Sequence, residues 1–173
     1  MYTKLLVPID GSCTSLLALA QASYLAKLTG ASIELLHVAN AMEYSNGFES
    51  PRAYIKKVRP YFLKVGNDLL DNARIQLEAQ ELNVTTVLVE AEGKRVSEHV
   101  ADHAAKCQFD LIILGTHGRR GMQRLLLGSD AEQVARIAPV PVMLVRDVNT
   151  QAISRTLDKE MIKGAALKQP TDE

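Results

Sequence analysis

The strongest constraint on this chain is a repeated alternation: short apolar runs exchange places with longer stretches of helical periodicity. Leu5-Leu6-Val7-Pro8-Ile9 stops at Asp10-Gly11-Ser12, which predicts a buried strand followed by a turn, with Ser12 or Asp10 as the cap of the next helix. Leu16, Leu17, Ala20, Tyr24, Leu25 and Leu28 recur at three- and four-residue steps, and Gly30 stands where a C-terminal cap belongs. Ser32 to Val38 predicts a second strand. Residues Ala39 to Arg59 have no clean period, and Ser45-Asn46-Gly47 and Ser50-Pro51 mark a loop or cover. Pro60 suits a first helical turn, Leu63, Leu69, Leu70, Ala73 and Leu77 form the stripe of that helix, and Asn83 is a candidate end. Val84 to Val89 is β-branched and predicts a third strand. Gly93 opens a shorter helix through Val96, Val100 and Ala104, and Asp110 to Leu114 predicts a fourth strand. Ser129-Asp130-Ala131-Glu132 has the form of a capping box before a helix that Pro139 stops, and Pro141 to Val145 predicts a fifth strand. Strands apolar on both faces that alternate with amphipathic helices are the signature of an α/β fold: a doubly wound, open parallel sheet covered on both faces, Rossmann-like. A closed eight-stranded barrel needs more chain than 173 residues with this spacing.

Composition narrows the function. Hydrophobic residues are 47% and charged residues 23%, as in a globular domain. Twenty Lys and Arg balance twenty Asp and Glu, which argues against a nucleic-acid coat or a polybasic membrane-surface protein. With no Trp, five Tyr and three Phe there is little material for a nucleic-acid stacking platform. The opening residues do not make a signal peptide, and no stretch approaches the roughly 18 continuous apolar residues of a membrane span. Cys13 and Cys107 form neither a C-x-x-C pair nor a Cys/His cluster, which excludes a disulfide framework and a sequence-local zinc site. A cytoplasmic location is the expectation. Residues 1–147 form one domain. Residues 148–173 form a polar tail, where Ile153, Leu157 and Met161 at four-residue steps permit either a short docked helix or a loose end.

In a doubly wound sheet the ligand site lies beyond the carboxyl ends of the strands, where their order reverses. Two distinctive loops leave such ends: Pro8 to Ser12, and Gly115-Thr116-His117-Gly118 after Leu114. The second has the form G-x2-G-x9-G-S, running through Gly118 to Gly128-Ser129. Glycine lets backbone approach a ligand closely, and inward N–H groups of such a loop can hold an anion. Ser129 sits at a helix N-terminus, where unpaired N–H groups and the helix dipole favour phosphate. Arg119, Arg120 and Arg124 add local positive charge, with at most one or two expected to touch phosphate and the rest solvated. The pattern suits a phosphorylated ligand.

The segment Gly115-Thr116-His117-Gly118-Arg119-Arg120-Gly121 through Gly128-Ser129-Asp130-Ala131-Glu132 resembles the ATP-binding motif of the universal stress protein family. Leu6 to Ser12 resembles that family's first strand and loop, and Leu36-His37-Val38 and Pro139 to Val142 its second strand end and last strand. The resemblance covers about residues 2 to 146. It implies a five-stranded sheet in the order 3-2-1-4-5, ATP at the switch point, and a homodimer paired through the fifth strand, Val142 to Val145. It also implies roles by position: Asp10 near ribose or the metal-phosphate region, Val38 binding adenine through its backbone, and Gly115, His117, Gly118, Gly128 and Ser129 holding ribose and phosphates. Pro8, Leu114, Arg119 and Asp130 complete the candidate set. Asp130 departs from the pattern, since a small or apolar residue is common there. An acid at that place could weaken binding or serve a metal.

Each residue has a plainer alternative. Asp10 could be a turn or cap residue, and His117 a surface loop histidine. His37 is expected to be structural. His99 and His103, at i and i+4, could bind a metal, but nothing completes a site and a solvated face is the expectation. Cys13 is expected to be a packed thiol in the first helical turn, and Cys107 inert. The leading functional expectation is a nucleotide-dependent regulatory switch of the stress response, a homodimer that binds ATP, or ADP or AMP, with Mg²⁺ as a companion ion, and that answers to an unidentified regulatory protein. No catalytic or resident metal residue is assigned. The alternatives are a slow nucleotide hydrolase, in which Asp10 or His117 positions water, and a nucleotide-free interaction module. The G-x-x-x-x-G-K-[ST] loop is absent, so a P-loop mechanism is excluded.

Overall fold

The computed structural model describes residues 1–40, 54–91, 93–117 and 127–146. Five parallel strands form one sheet in the order 3-2-1-4-5: β1 (Lys4–Pro8), β2 (Ser32–Ala39), β3 (Val84–Glu90), β4 (Leu111–Gly115) and β5 (Val142–Val145). Helices α1 (Cys13–Thr29), α2 (Arg59–Glu78), α3 (Val96–Lys106) and α4 (Ser129–Ile137) connect them. The register runs Lys4↔Ser32 to Pro8↔Leu36 between β1 and β2, and Leu5↔Leu111 between β1 and β4. β1 is central, so Leu5, Leu6 and Val7 are all fully buried, which is why its sequence is a continuous apolar run. Each such side chain contributes about 1.5–3 kcal/mol on burial.

Two apolar layers cover the sheet. On one face Leu5, Val7, Ile33, Leu35 and Ile113 meet α1 and α2 through Ala18, Leu19, Ala22, Leu70, Ala73 and Leu77. On the other Leu6, Leu36, Ile112 and Leu114 meet α3 and α4 through Val100, Ala104, Ala131 and Val134. The fold class and strand order agree with the sequence reading.

Several local expectations change. Ser12 caps α1, its side chain accepting the Ser15 N–H, and Gly30 ends it at φ 73°, both as expected. The buried stripe of α1 differs from the expected one: Ala18, Leu19, Ala22, Ser23 and Ala26 face the sheet, while Leu16, Ala20, Tyr24 and Leu28 face outward. Small residues let α1 lie close to β4, and large ones on that side would hold it off. Cys13 is exposed rather than packed.

α2 is preceded by a single π-helical turn, Tyr54–Val58, inside the region expected to be loop. Pro60 sits in its first turn as expected, and Arg59 pairs with Glu90 through two hydrogen bonds of 2.9 and 2.6 Å. α2 ends at Glu78, not near Asn83. Glu81 adopts φ 62°, and the Leu82 N–H returns to the Leu77 carbonyl, closing the helix end.

At α3 the Glu98 carboxylate accepts the Arg95 N–H at 2.8 Å, so Gly93 belongs to the loop before the helix. At α4 the capping box is out of frame. Gly128 is the extended N-cap, its carbonyl accepts the Glu132 N–H, and Ser129 is already helical, with no side chain among the described residues capping that end. Residues 147–173, including the expected tail, lie outside the described residues.

Candidate functional site

β1 and β4 are neighbours whose connections leave toward opposite faces. β1 runs into α1, which packs in the first layer, and the loop after β4 leads to α4, which packs in the second. The carboxyl ends of these two strands therefore flank a crevice at the reversal of strand order.

The first wall is built by Asp10. Its Oδ1 accepts the Ser12 N–H at 2.9 Å and the Ser12 hydroxyl at 2.6 Å, which folds the loop over the start of α1. His37 supports this loop from below. It is 4% exposed, and its Nδ1 lies 2.7 Å from the Ile9 carbonyl. A carbonyl can only accept, so Nδ1 carries the proton in this contact. The structural reading of His37 stands.

The second wall is the Gly115–His117 segment, and it is tied to the first. Thr14 Oγ1 donates to the His117 carbonyl, and the Ser12 hydroxyl reaches the same oxygen at 3.3 Å. Thr116 Oγ1 lies 3.0 Å from His117 Nδ1, and the Gly128 N–H donates to the Thr116 carbonyl at 2.8 Å. Two glycines make these approaches possible. A Cβ on Gly115 would stand 2.6 Å from the Thr14 carbonyl carbon, and one on Gly128 would stand 3.1 Å from the Thr116 oxygen. Asp10, Ser12, Thr14, Thr116, His117 and Gly128 thus form one connected rim. Thr14 and Thr116 were not anticipated. A threonine near a helix start has many uses, and its partner here lies 103 positions away.

Val38 forms the third side. The Leu36 carbonyl accepts the Ile9 N–H from the β1 direction, whereas the Ala39 carbonyl accepts Ala91 N–H from the β3 direction. Along a strand these directions alternate, so Val38 turns its N–H and C=O toward the lane of β1. Pro8 is the last residue of β1, so that lane has ended at the level of Val38. One donor and one acceptor face the crevice there.

The remaining candidates are distributed around this rim. Pro8 is half-buried at the end of β1, and Leu114 is buried in the second layer. Ser129 and Asp130 are exposed in the first turn of α4. Gly118, Arg119, Arg120 and Arg124 lie outside the described residues.

The two helical histidines are not a solvated face. His103 Nε2 contacts Glu34 Oε1, and its ring packs on Phe109. His99 Nε2 is buried with no hydrogen-bond partner among the described residues. They border a separate concavity of about 680 Å³ along β3, lined also by Leu88, Val89 and Lys106. Among the described residues no group of three His, Cys, Asp or Glu could hold a metal ion. No helix among them is long and apolar enough to cross a membrane.

Residues 1–146 match the model of the universal stress protein family. The universal stress protein YxiE of Bacillus subtilis is 32% identical over 151 residues, covering 84% of this chain and all of the relative. The solved structure of MJ0577, described as a hypothetical protein whose biochemical function was assigned from structure, superposes with a TM-score of 0.75 at 26% identity, covering 87% of this chain and 99% of that one. A universal stress protein from Archaeoglobus fulgidus, solved in complex with dAMP, shares the fold at a TM-score of 0.56 and 21% identity, over 83% of this chain and 98% of that one. The strand order, the glycine-spaced rim and these matches agree: the chain belongs to the universal stress protein family.

Proposed function

We propose that this protein binds an adenine nucleotide, ATP or its ADP and AMP relatives, in the crevice between β1 and β4, and that it acts as a nucleotide-dependent regulator rather than an enzyme. The observation that carries this reading is the Val38 edge. A backbone N–H and C=O side by side match the N1 acceptor and N6 donor of adenine, and they face the end of a strand lane at a topological switch point. The Gly115–His117 segment and the start of α4 stand where ribose and phosphates would follow. α4 offers its first-turn N–H groups without a capping side chain among the described residues. Gly118 and Arg119 complete the phosphate side, and Mg²⁺ accompanies the phosphates, with Asp10 the loop carboxylate next to them. That a relative of the same fold was solved with dAMP adds support from its ligand class.

Regulation requires that nucleotide favour one state of the protein over another. In this reading the bound nucleotide changes the surface read by a partner protein. The homodimer pairs through β5, whose outer edge carries Met143 and Leu144, both more than a third exposed.

Calorimetric titration of nucleotide-stripped protein, with and without Mg²⁺, tests this. Micromolar affinity, about −8 kcal/mol, is expected for the wild type. Ser129→Glu should weaken it at least tenfold, about 1.4 kcal/mol, by setting a carboxylate against the phosphates. Glu is compatible with an exposed first-turn position, so loss of fold does not confuse the result. Equal affinity in both proteins, or none in either, would overturn the assignment. Turnover abolished in Asp10→Ala with binding retained would make the protein a hydrolase instead.

A further inference from the structure

We propose that the C-terminal segment carrying Ile153, Leu157 and Met161 docks as a helix along the outer face of α1, across Leu16, Ala20, Tyr24 and Leu28. α1 lacks the solvent face expected of a surface helix. Its 17 residues carry one charge, Lys27, whereas the other helices are richly charged. The sheet-facing side is occupied by Ala18, Leu19, Ala22 and Ala26, so the large apolar residues are turned out: Leu16 is 52% exposed, and Tyr24 and Leu28 are each 64% exposed. Apart from Gln21 and Lys27 the exposed positions of α1 are Cys13, Leu16, Ala20, Tyr24 and Leu28, and a helix with large apolar residues on the side away from the sheet as well is one that a second element can cover. Leu16, Ala20, Tyr24 and Leu28 stand at successive four-residue steps, a single ridge about 18 Å long by the rise of 1.5 Å per residue.

The chain's own end is placed to supply the cover. β5 is the last strand among the described residues, and Val145 packs into the same apolar layer as α1. The Val145 carbonyl accepts the Thr116 N–H, beside the close contact of Gly115 with Thr14 in the first turn of α1. The chain therefore leaves the sheet next to the start of the uncovered ridge. Residues 147–173 follow. The six residues 147–152 can span up to about 20 Å. Ile153, Leu157 and Met161 then repeat the four-residue step of the ridge over about 12 Å, within its length. Two ridges of this kind interlock in the commonest class of helix packing.

Hydrogen exchange and disulfide trapping on the full-length protein test this. Amides of 153–161 should exchange at least tenfold more slowly than an unstructured reference, and either Leu157→Asp or Tyr24→Asp should remove that protection while β1 and β4 keep theirs. Leu157→Asp lies beyond the family domain, so it leaves the fold intact whatever Tyr24→Asp does. In a Cys13→Ser, Cys107→Ser background, the pair Tyr24→Cys and Leu157→Cys should close a disulfide within one chain. An unprotected tail in the wild type, or protection that survives Leu157→Asp, would overturn the proposal. A disulfide formed solely between chains would also overturn it, and would assign the ridge to a second copy.

Discussion

At the scale of single residues, the glycines after β4 serve packing before they serve any ligand. Gly115 permits the rim to touch α1, and a side chain there collides with Thr14. Gly115→Ala should lower stability by about 1–3 kcal/mol, as overpacking does. A reduced urea midpoint would show it, and an unchanged midpoint would mean that the rim yields easily. The motif's spacing was legible in the sequence, but this reason for it was not, because Thr14 is distant in the chain. Asp110 gives a second residue-scale prediction. Its carboxylate accepts the Thr3 hydroxyl and the Thr3 and Lys4 N–H groups, which lower its pKa from 3.8 to about 2. A group depressed on folding stabilises above its unfolded pKa and loses that contribution as pH falls through the folded value. Asp110→Asn should therefore be less stable than the wild type at pH 7, with the gap closing between about pH 4 and pH 2. A gap that stays constant across that range would show that Asp110 contributes nothing through its charge.

At the scale of elements, strands were easier to read than helix faces. β1 and β4 are buried on both sides through their centres, so continuous apolar runs disclosed them. α1 misled because both of its faces carry apolar residues, and periodicity then selects the larger side chains. The sheet instead selects the smaller ones, which allow closer approach. Ala22→Leu, on the buried face, should cost about 1–3 kcal/mol, while Gln21→Ala, on the exposed face, should stay within about 0.5 kcal/mol. Thermal denaturation of the two variants separates these faces. Equal effects would contradict the packing of α1. The start of α4 misled differently: the capping-box pattern at Ser129 is not used, because Gly128 already takes the extended cap conformation and Ser129 is the first helical residue. The helical histidines were read as solvated for want of the sheet. Glu34, which meets His103, lies 69 positions away.

At the scale of the whole molecule, the sequence disclosed the layers because α/β alternation and right-handed crossovers leave few topologies. The strand order itself came through the family likeness, and the sheet has it. The crevice follows from that order: reversing direction between β1 and β4 sends their helices to opposite faces and leaves the strand ends open to a ligand. The same order leaves β5 at an edge, with Met143 and Leu144 exposed. If the homodimer forms there, Leu144→Lys should raise its dissociation constant at least tenfold in analytical ultracentrifugation. An unchanged constant would move the interface elsewhere, with the α1 ridge as the next apolar surface.

The central claim is that an adenine nucleotide occupies the crevice beside Val38. Amide NMR of isotope-labelled protein during an ATP titration tests it most directly. The account predicts that the largest shifts fall at Val38, Gly115, His117 and Ser129, saturating together at micromolar ATP. Shifts confined to the concavity near His99, or no shifts at millimolar ATP, would contradict it.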